Sequence, residues 1–246
     1  AGHVHLPEGV FAWGPHVDST DLPIRALLEE DLGIPGVVDN DANVAAYGEH
    51  VAGAARGFDD FLLVTLGTGI GGAIMVGGSV YRGESFSGEW GHIRHNPIGR
   101  LCDCGKRGCW ETVASGPALV RLAREVISLN PEGSFAHRFE SGTIRGEDVT
   151  AAADAGDEVA RGLVAEVGAE LGRGIANLIA VFDPELVVVG GGLGSVGESL
   201  LGPARRFAAD ALLGGNHRLS PPILVAGSGA RAGAVGAAYL ASSIRS

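Results

Sequence analysis

No apolar run in this sequence approaches the ~18 residues that a membrane-spanning helix needs, and no secretory signal pattern is visible. Basic clusters are lacking as well. Eighteen Lys and Arg stand against 29 Asp and Glu in 246 residues, so the formal charge is 18 − 29 = −11. Neither a nucleic-acid partner nor an anionic membrane surface is expected from that balance. The cysteines number three, an odd count. Cys102 and Cys104 are too close in sequence to bridge easily, so no disulfide framework is expected and the reducing cytoplasm is the natural compartment. Internal repeats, low-complexity tracts and a clear interdomain linker are also missing. The chain does not open with Met, which suggests a start inside a larger protein or a processed chain.

What is present is enough apolar material for a sizeable core, 46% of residues, and an unusual amount of glycine, 41 residues. The length suits one large α/β domain or two small ones. Residues 1–6 could form a strand that lacks its partner. Residues 22–32 read as a short helix with Pro23 in its first turn and Gly33 at its end. A short buried strand is expected at 35–39, and a helix capped by Asn40-Asp41 at 42–55. Strand 61–66 runs into a glycine loop, with further strands at 73–76 and 79–81. Helices are expected at 115–129, near 147, at 157–182, at 198–212 and at 231–243. Strands are expected at 185–189 and 223–226. The stretch 130–146 reads as loop. In the longest helix Val159, Leu163, Val164, Val167, Leu171, Ile175, Leu178, Ile179 and Phe182 recur every three or four residues and mark one buried face. Strands alternating with helices imply an α/β fold with a mainly parallel sheet.

Residues 89–111 concentrate the chemistry. Cys102, Cys104 and Cys109 lie within eight positions, His92 stands ten residues before Cys102, and Glu89 and Glu111 bracket the group. Zinc favours four tetrahedral nitrogen and sulfur ligands, and three Cys with one His is a standard structural set. Gly105 and Gly108 would let the backbone fold tightly enough to aim three sulfurs at one centre. The alternative is a cluster of buried structural cysteines. Trp90 and Trp110 read as packing around this site, and His95 as a surface or loop residue.

Gly67-x-Gly69-x-x-Gly72 matches the dinucleotide pattern, but such a loop must open a helix, and here a strand follows. NAD binding is therefore rejected. A glycine hairpin can still cradle phosphate with backbone N–H groups, to which Thr68 adds a hydroxyl. The alternative is a tight hairpin that needs glycine for its backbone angles alone. Gly190-Gly191-Gly192, after a strand, is a second place for close backbone approach or a packing turn.

Asp41 stands at a strand-to-helix junction, where ligands of open α/β sheets bind. It can accept a proton from a substrate hydroxyl in phosphoryl transfer, or serve with Asn40 as a helix cap. Asn40 has the donor and acceptor needed to fix a sugar hydroxyl. Asp39 and Asn43 read as structural. Glu89 and Glu111 could accept hydroxyl hydrogen bonds from a neutral polar substrate, and His92 could bind metal through one nitrogen and meet a hydroxyl with the other.

Asn40-Asp41-Ala42-Asn43, Leu66-Gly67-Thr68-Gly69-Ile70-Gly71-Gly72, Glu89-x-Gly91-His92 and Cys102-x-Cys104-Gly105-x-x-Gly108-Cys109-x-Glu111 follow in the order and spacing of ROK-family sugar kinases. The chain resembles that family over nearly its whole length, most of all the actinobacterial-type glucokinases. The resemblance implies an actin-like, ribonuclease-H-like ATPase fold of two lobes. Residues 1–50 would be the remainder of the small lobe and 51–246 the large one. It implies Asp41 as catalytic base, with Asn40, Glu89, His92 and Glu111 on the sugar. His92, Cys102, Cys104 and Cys109 would hold structural Zn²⁺. Gly67, Thr68, Gly69, Gly71 and Gly72 would form the phosphate loop, and Gly190, Gly191 and Gly192 would lie near adenosine, with Mg²⁺ accompanying ATP. Glucose or a related hexose is the implied substrate, ATP or polyphosphate the donor, and a homodimer or homotetramer the implied assembly. Pro15-His16 would occupy a place where the family tends to carry Asn or His after Pro. One departure is clear: the Asp-x-Gly-Gly-Thr phosphate motif with which the family opens is not found. The expectation is therefore a small lobe without its first phosphate loop. A sugar-responsive repressor of the same family, or a sugar-binding remnant, are the competing expectations.

Overall fold

The computed structural model describes residues 3–14, 17–139, 143–215 and 217–244. Pro15 and His16, singled out above, lie outside the described residues, as do Ala1 and Gly2 of the first expected strand and residues 140–142 of the expected loop.

The centre is a five-stranded sheet in the order β5-β4-β3-β6-β7. Its strands are β3 (Phe61–Leu66), β4 (Ile70–Val76), β5 (Ser79–Tyr81), β6 (Leu186–Gly190) and β7 (Ile223–Val225). β3 and β6 read as unbroken apolar runs because helices cover both sheet faces. Leu62, Val64, Leu66, Val187 and Val189 enter one core, while Phe61, Leu63, Leu186 and Val188 enter the other. β6 is parallel to β3 and β7 to β6, whereas β3–β4 and β4–β5 are antiparallel. The sheet is thus mixed, and the expectation of a mainly parallel one is corrected. The reason is local: a turn as short as residues 67–69 can join only antiparallel neighbours.

On one face lie α3 (Gly116–Leu129), α5 (Gly146–Asp154), the long α6 (Glu158–Phe182) and α8 (Glu198–Ala211). Asp157 caps α6 by accepting from Ala160 N at 3.0 Å, and Asp183 ends it in the left-handed region. Of the face expected for α6, Val159 and Phe182 at its ends are exposed and the rest is buried. Gly168 and Gly172 bring α6 against α8: a Cβ there would lie 2.4 Å from Leu200 O and 2.2 Å from Ala204 O. The other face carries α2 (Asp41–Ala52) and α9 (Ala232–Ser242). Gly48 and Gly236 play the same part, with a Cβ 2.1 Å from Ala232 O and 1.7 Å from Val44 O.

Beside this body, β1 (His3–His5) pairs antiparallel with β2 (Val10–Trp13), so the first strand has a partner after all. α1 (Ile24–Leu32) ends on Gly33 at φ +66, as expected. Residues 35–39 do not form the expected buried strand: they carry no regular structure and pair with no strand, and Val37 is 48% exposed. A strand needs a hydrogen-bonded neighbour, and none of the described strands runs beside this segment. Two short helices, α4 (Ser134–His137) and α7 (Gly191–Gly194), were not expected.

Glu49, fully buried in the last turn of α2, holds that helix in place. Its carboxylate accepts from Ala54 N, Gly227 N and Ser228 N, each at 2.8 Å. It joins α2 to the chain that leads from β7 to α9. Replacing Glu49 by Ala strands three backbone donors and is expected to cost roughly 2–4 kcal/mol, with Gln intermediate, measured by urea unfolding.

Candidate active site

The two glycine elements meet where β3 and β6 end together. Gly67 O accepts from Gly116 N, the first residue of α3, at 2.9 Å. Gly191, at φ +83, lies so close to β3 that a Cβ would stand 2.2 Å from Leu66 O. Gly67, Thr68, Gly191 and Gly192 are exposed here. The turns after β3 and β6 and the N-terminus of a 14-residue helix thus meet at one spot; Gly67 N is taken by Gly69 O and Gly116 N by Gly67 O, which leaves the exposed backbone of Thr68, Gly191 and Gly192 facing outward there.

Gly69, Gly71 and Gly72 do something different. The Trp90 indole fills the space above Gly72, where a Cβ would lie 1.9 Å from the ring, and Trp90 Nε1 donates to Gly71 O at 3.0 Å. Glu111 Oε2 fills the space beside Gly69, 2.6 Å from where a Cβ would stand. The hairpin is glycine-rich on this side because residues 89–111 lie directly on it. Gly190 is buried against Ala226.

Within 89–111 the four expected ligands come together. The candidate ligand atoms of His92, Cys102, Cys104 and Cys109 all lie within 4.8 Å of one another. Cys104 and Cys109 sulfurs are 3.6 Å apart, and Cys102 Sγ is 3.7 Å from His92 Nδ1. A zinc–sulfur bond of ~2.3 Å gives tetrahedral sulfur–sulfur edges of ~3.8 Å, so the donor set and its spacing fit zinc. All three cysteines are free. Gly105 and Gly108 do take positive φ, +83 and +72, and a Cβ on Gly108 would lie 1.5 Å from Asn96 O. Burial, then the neighbouring Glu111 carboxylate, pushes the Cys102 thiol far above its usual range. Glu111 Oε1 sits 3.0 Å from Cys102 Sγ and 3.3 Å from His92 Nδ1, so this one carboxylate touches both the ligand cluster and the glycine hairpin.

The first turn of α2 separates its polar residues cleanly. Asn40 Oδ1 caps the helix, accepting from Ala42 N at 2.9 Å and Asn43 N at 3.3 Å. Asp39 is locked by Arg82, at 3.0 Å from Nε and 2.6 Å from Nη2, and by Asn43 Nδ2 at 2.8 Å. Asp41 is exposed, and its Oδ1 accepts from Ala42 N at 2.9 Å. Among the described residues no hydrogen bond joins Asp41 to the Glu89–Glu111 group. The Arg82–Asp39 pair makes the connection instead, tying the head of α2 to the segment that leads to Glu89. Glu89 itself is partly exposed and lies 3.6 Å from His3 Nδ1.

Sequence reasoning passed over Arg82, His3 and Glu49; His95 lies in a loop, as one of its two expected readings had it. That loop turns its ring inward: Nε2 lies 2.7 Å from Glu170 Oε2 on α6, with the ring 11% exposed. Trp110 Nε1 donates to Glu170 O at 2.9 Å, and the indole fills a notch at Gly174. No local pattern announces such partners, because each pair is far apart in sequence.

A mixed sheet with helices on both faces makes this an α/β protein, and its likeness to ROK-family structures gives it the actin-like ATPase fold. The chain belongs to the ROK family, whose sequence model matches residues 1–244. It is 40% identical to the glucokinase of Streptomyces coelicolor over 98% of this chain and 78% of that protein. The crystal structure of a ROK glucokinase from Streptomyces griseus, in complex with glucose and AMPPNP, superposes with a TM-score of 0.87 at 40% identity, covering 98% of this chain and 78% of that one. A ROK family transcriptional regulator, a homolog of the E. coli MLC protein, superposes with a TM-score of 0.86 at 29% identity, covering 96% and 59%. Among the described residues no helix is long and apolar enough to cross a membrane.

Two measurements check this geometry. Gly69→Ala moves one flexible carboxylate, so the protein is expected to melt within about 2–4 °C of the parent, whereas Gly72→Ala drives a methyl into a buried indole and is expected to melt far lower. Calorimetry of both variants decides it, and equal melting would remove the distinction. The second concerns acid. The His95 hydrogen bond, with Arg173 nearby, holds the Glu170 carboxyl below its ordinary value of 4.5. A depressed carboxylate stabilises fully above its unfolded pKa and loses that contribution as pH falls through the folded value. The melting-temperature gap between the parent and Glu170→Gln is therefore expected to be full above pH 4.5 and to shrink below it.

Proposed function

We propose that this chain is a sugar kinase that transfers the γ-phosphoryl group of ATP to the 6-hydroxyl of glucose. The observation that carries the reading is Asp41: an intact Asn-Asp pair whose one carboxylate stands exposed while Asn40 caps the helix and Asp39 is bound to Arg82. The 40% identity to a glucokinase over nearly the whole chain supports it.

In this reading Asp41 takes the proton of the attacking hydroxyl. The new O–P bond forms as the bond to ADP breaks, so positioning and charge stabilisation supply most of the rate. Asn40, Glu89, His92 and Glu111 hold the sugar hydroxyls. His92 Nδ1 faces the sulfurs, so Nε2 is the nitrogen a hydroxyl would meet. The exposed backbone of Gly67, Thr68, Gly191 and Gly192 faces the nucleotide, with Gly69, Gly71, Gly72 and Gly190 shaping the turns behind it. Mg²⁺ would arrive with ATP and neutralise phosphate charge. Zn²⁺, held by His92, Cys102, Cys104 and Cys109, would cross-link the loop that carries Glu111.

The division at residue 50 drawn from the sequence would cut α2 away from the sheet it packs on, so we place the boundary between lobes near residue 40. A reducing, cytoplasmic setting suits three free thiols, and a homodimer or homotetramer is the assembly proposed. A second reading is a sugar-responsive regulator or a non-catalytic sugar-binding fragment, favoured by the similarity to the MLC-like transcriptional regulator.

Asp41→Asn is expected to lower kcat with glucose and Mg-ATP by ~10²–10⁴-fold while glucose affinity stays within a few fold, in a preparation with about one zinc per chain. An equal loss of affinity would make Asp41 a sugar ligand and sink its role as base. Glucose binding without ADP release in the parent would favour the regulator.

A further inference from the structure

The segment that carries Glu89 is held from outside by the β1–β2 hairpin. Leu6 N donates to Ser85 Oγ at 3.2 Å. Ser85 sits at φ +94, a backbone conformation that costs energy for any residue but glycine and persists only where its surroundings enforce it. The Phe86 ring meets two histidines of β1: His3 edge-on at 5.1 Å between centroids and His5 tilted at 5.2 Å. His3 in turn lies flat along Trp13 of β2, at 5.9 Å and 15° between planes. A ring stacked on one aromatic and buttressed by another has little freedom to turn. Its Nδ1 faces Glu89 Oε1 at 3.6 Å. Arg82, bonded to Asp39, pins the near end of the same segment, so the two ends are tied to different elements.

We propose that His3 is a positioning residue for the sugar site. Held between Trp13 and Phe86, the ring faces the Glu89 carboxylate at 3.6 Å, longer than a direct hydrogen bond, and limits the rotamers open to the carboxylate that receives the hexose hydroxyls. The inference rests on the reading of Glu89 as a sugar ligand. Its chemistry is that of preorganisation: a carboxylate already oriented gives up no rotamer freedom when the hydroxyls arrive. The hairpin thereby acts on the substrate without touching the phosphate end of the site. His3 is expected to govern hexose affinity and to leave ATP affinity alone.

The test compares the parent chain with His3→Ala and His3→Gln. Glucose binding is measured by calorimetry in the absence of nucleotide, and KM for glucose and for Mg-ATP by ADP release. His3→Ala is expected to weaken glucose binding and raise its KM about tenfold, with the KM for ATP within twofold. His3→Gln keeps a polar side chain of similar reach beside Glu89 and is expected to recover most of the loss. Trp13→Ala, which removes the shelf but leaves the imidazole, is expected to fall between them. Unchanged glucose binding in His3→Ala overturns the proposal and leaves the kinase reading intact. Equal weakening in the Ala and Gln variants, with a lower melting temperature in both, reduces His3 to packing and overturns it as well. Failure of the parent to bind any hexose sinks the sugar reading itself, and the role of His3 with it.

Discussion

Two indole rings hold the chemically rich stretch of this protein between the sheet and its longest helix. Trp90 lies over Gly72 and donates to Gly71 O, and Trp110 lies in the notch at Gly174 and donates to Glu170 O. Each ring buries a large apolar surface and still satisfies its single N–H, the combination that makes tryptophan useful at an interface with one polar edge. The ligand cluster, Glu111 and His95 all sit between these anchors. Glu111 can touch both the cluster and the hairpin only because residues 89–111 are pressed onto glycine backbone on one side and α6 on the other. The glycines on the hairpin and on α6 are thus the negative image of the two tryptophans.

The same device organises the helix layers. Gly168 and Gly172 seat α8 on α6, and Gly48 and Gly236 seat α9 on α2. In each pair a carbonyl of the partner occupies the place of a missing Cβ. Much of the unusual glycine content is therefore packing, not looseness. Close backbone approach also leaves little room for sliding, so the helix pairs behave as single blocks against the sheet.

Periodicity and local punctuation made most elements readable in advance. The α6 face, the β3 and β6 runs, the Asn40 cap and the Gly33 stop are all determined by neighbours within a few residues. The Cys3His cluster was readable for the same reason, since its ligands and turn glycines lie close in sequence. What escaped were relationships that depend on partners far along the chain. The strand expected at 35–39 has apolar residues but no neighbour to bond. The mixed sheet is a different case, since its two antiparallel pairs follow from the short local turns at 67–69 and 77–78. His95 gave no sign of Glu170, 75 positions away. The glycines at 69, 71 and 72 belong to a phosphate-loop pattern, yet the structure gives three of them a neighbour from the 89–111 stretch.

Glu49 has a further consequence. It sits at the rear of α2, where three backbone donors hold it, and Gly48 locks the same turn to α9. A rod fastened at its rear to the chain's last helix cannot pivot about that end. Rotation of the β1–β2–α1 part against the sheet must then be absorbed ahead of Asp39, which Arg82 and Asn43 hold, in the unpaired residues 34–38. Asp41, behind that joint, stays with the sheet throughout, and the aromatic contacts of the hairpin make the moving edge.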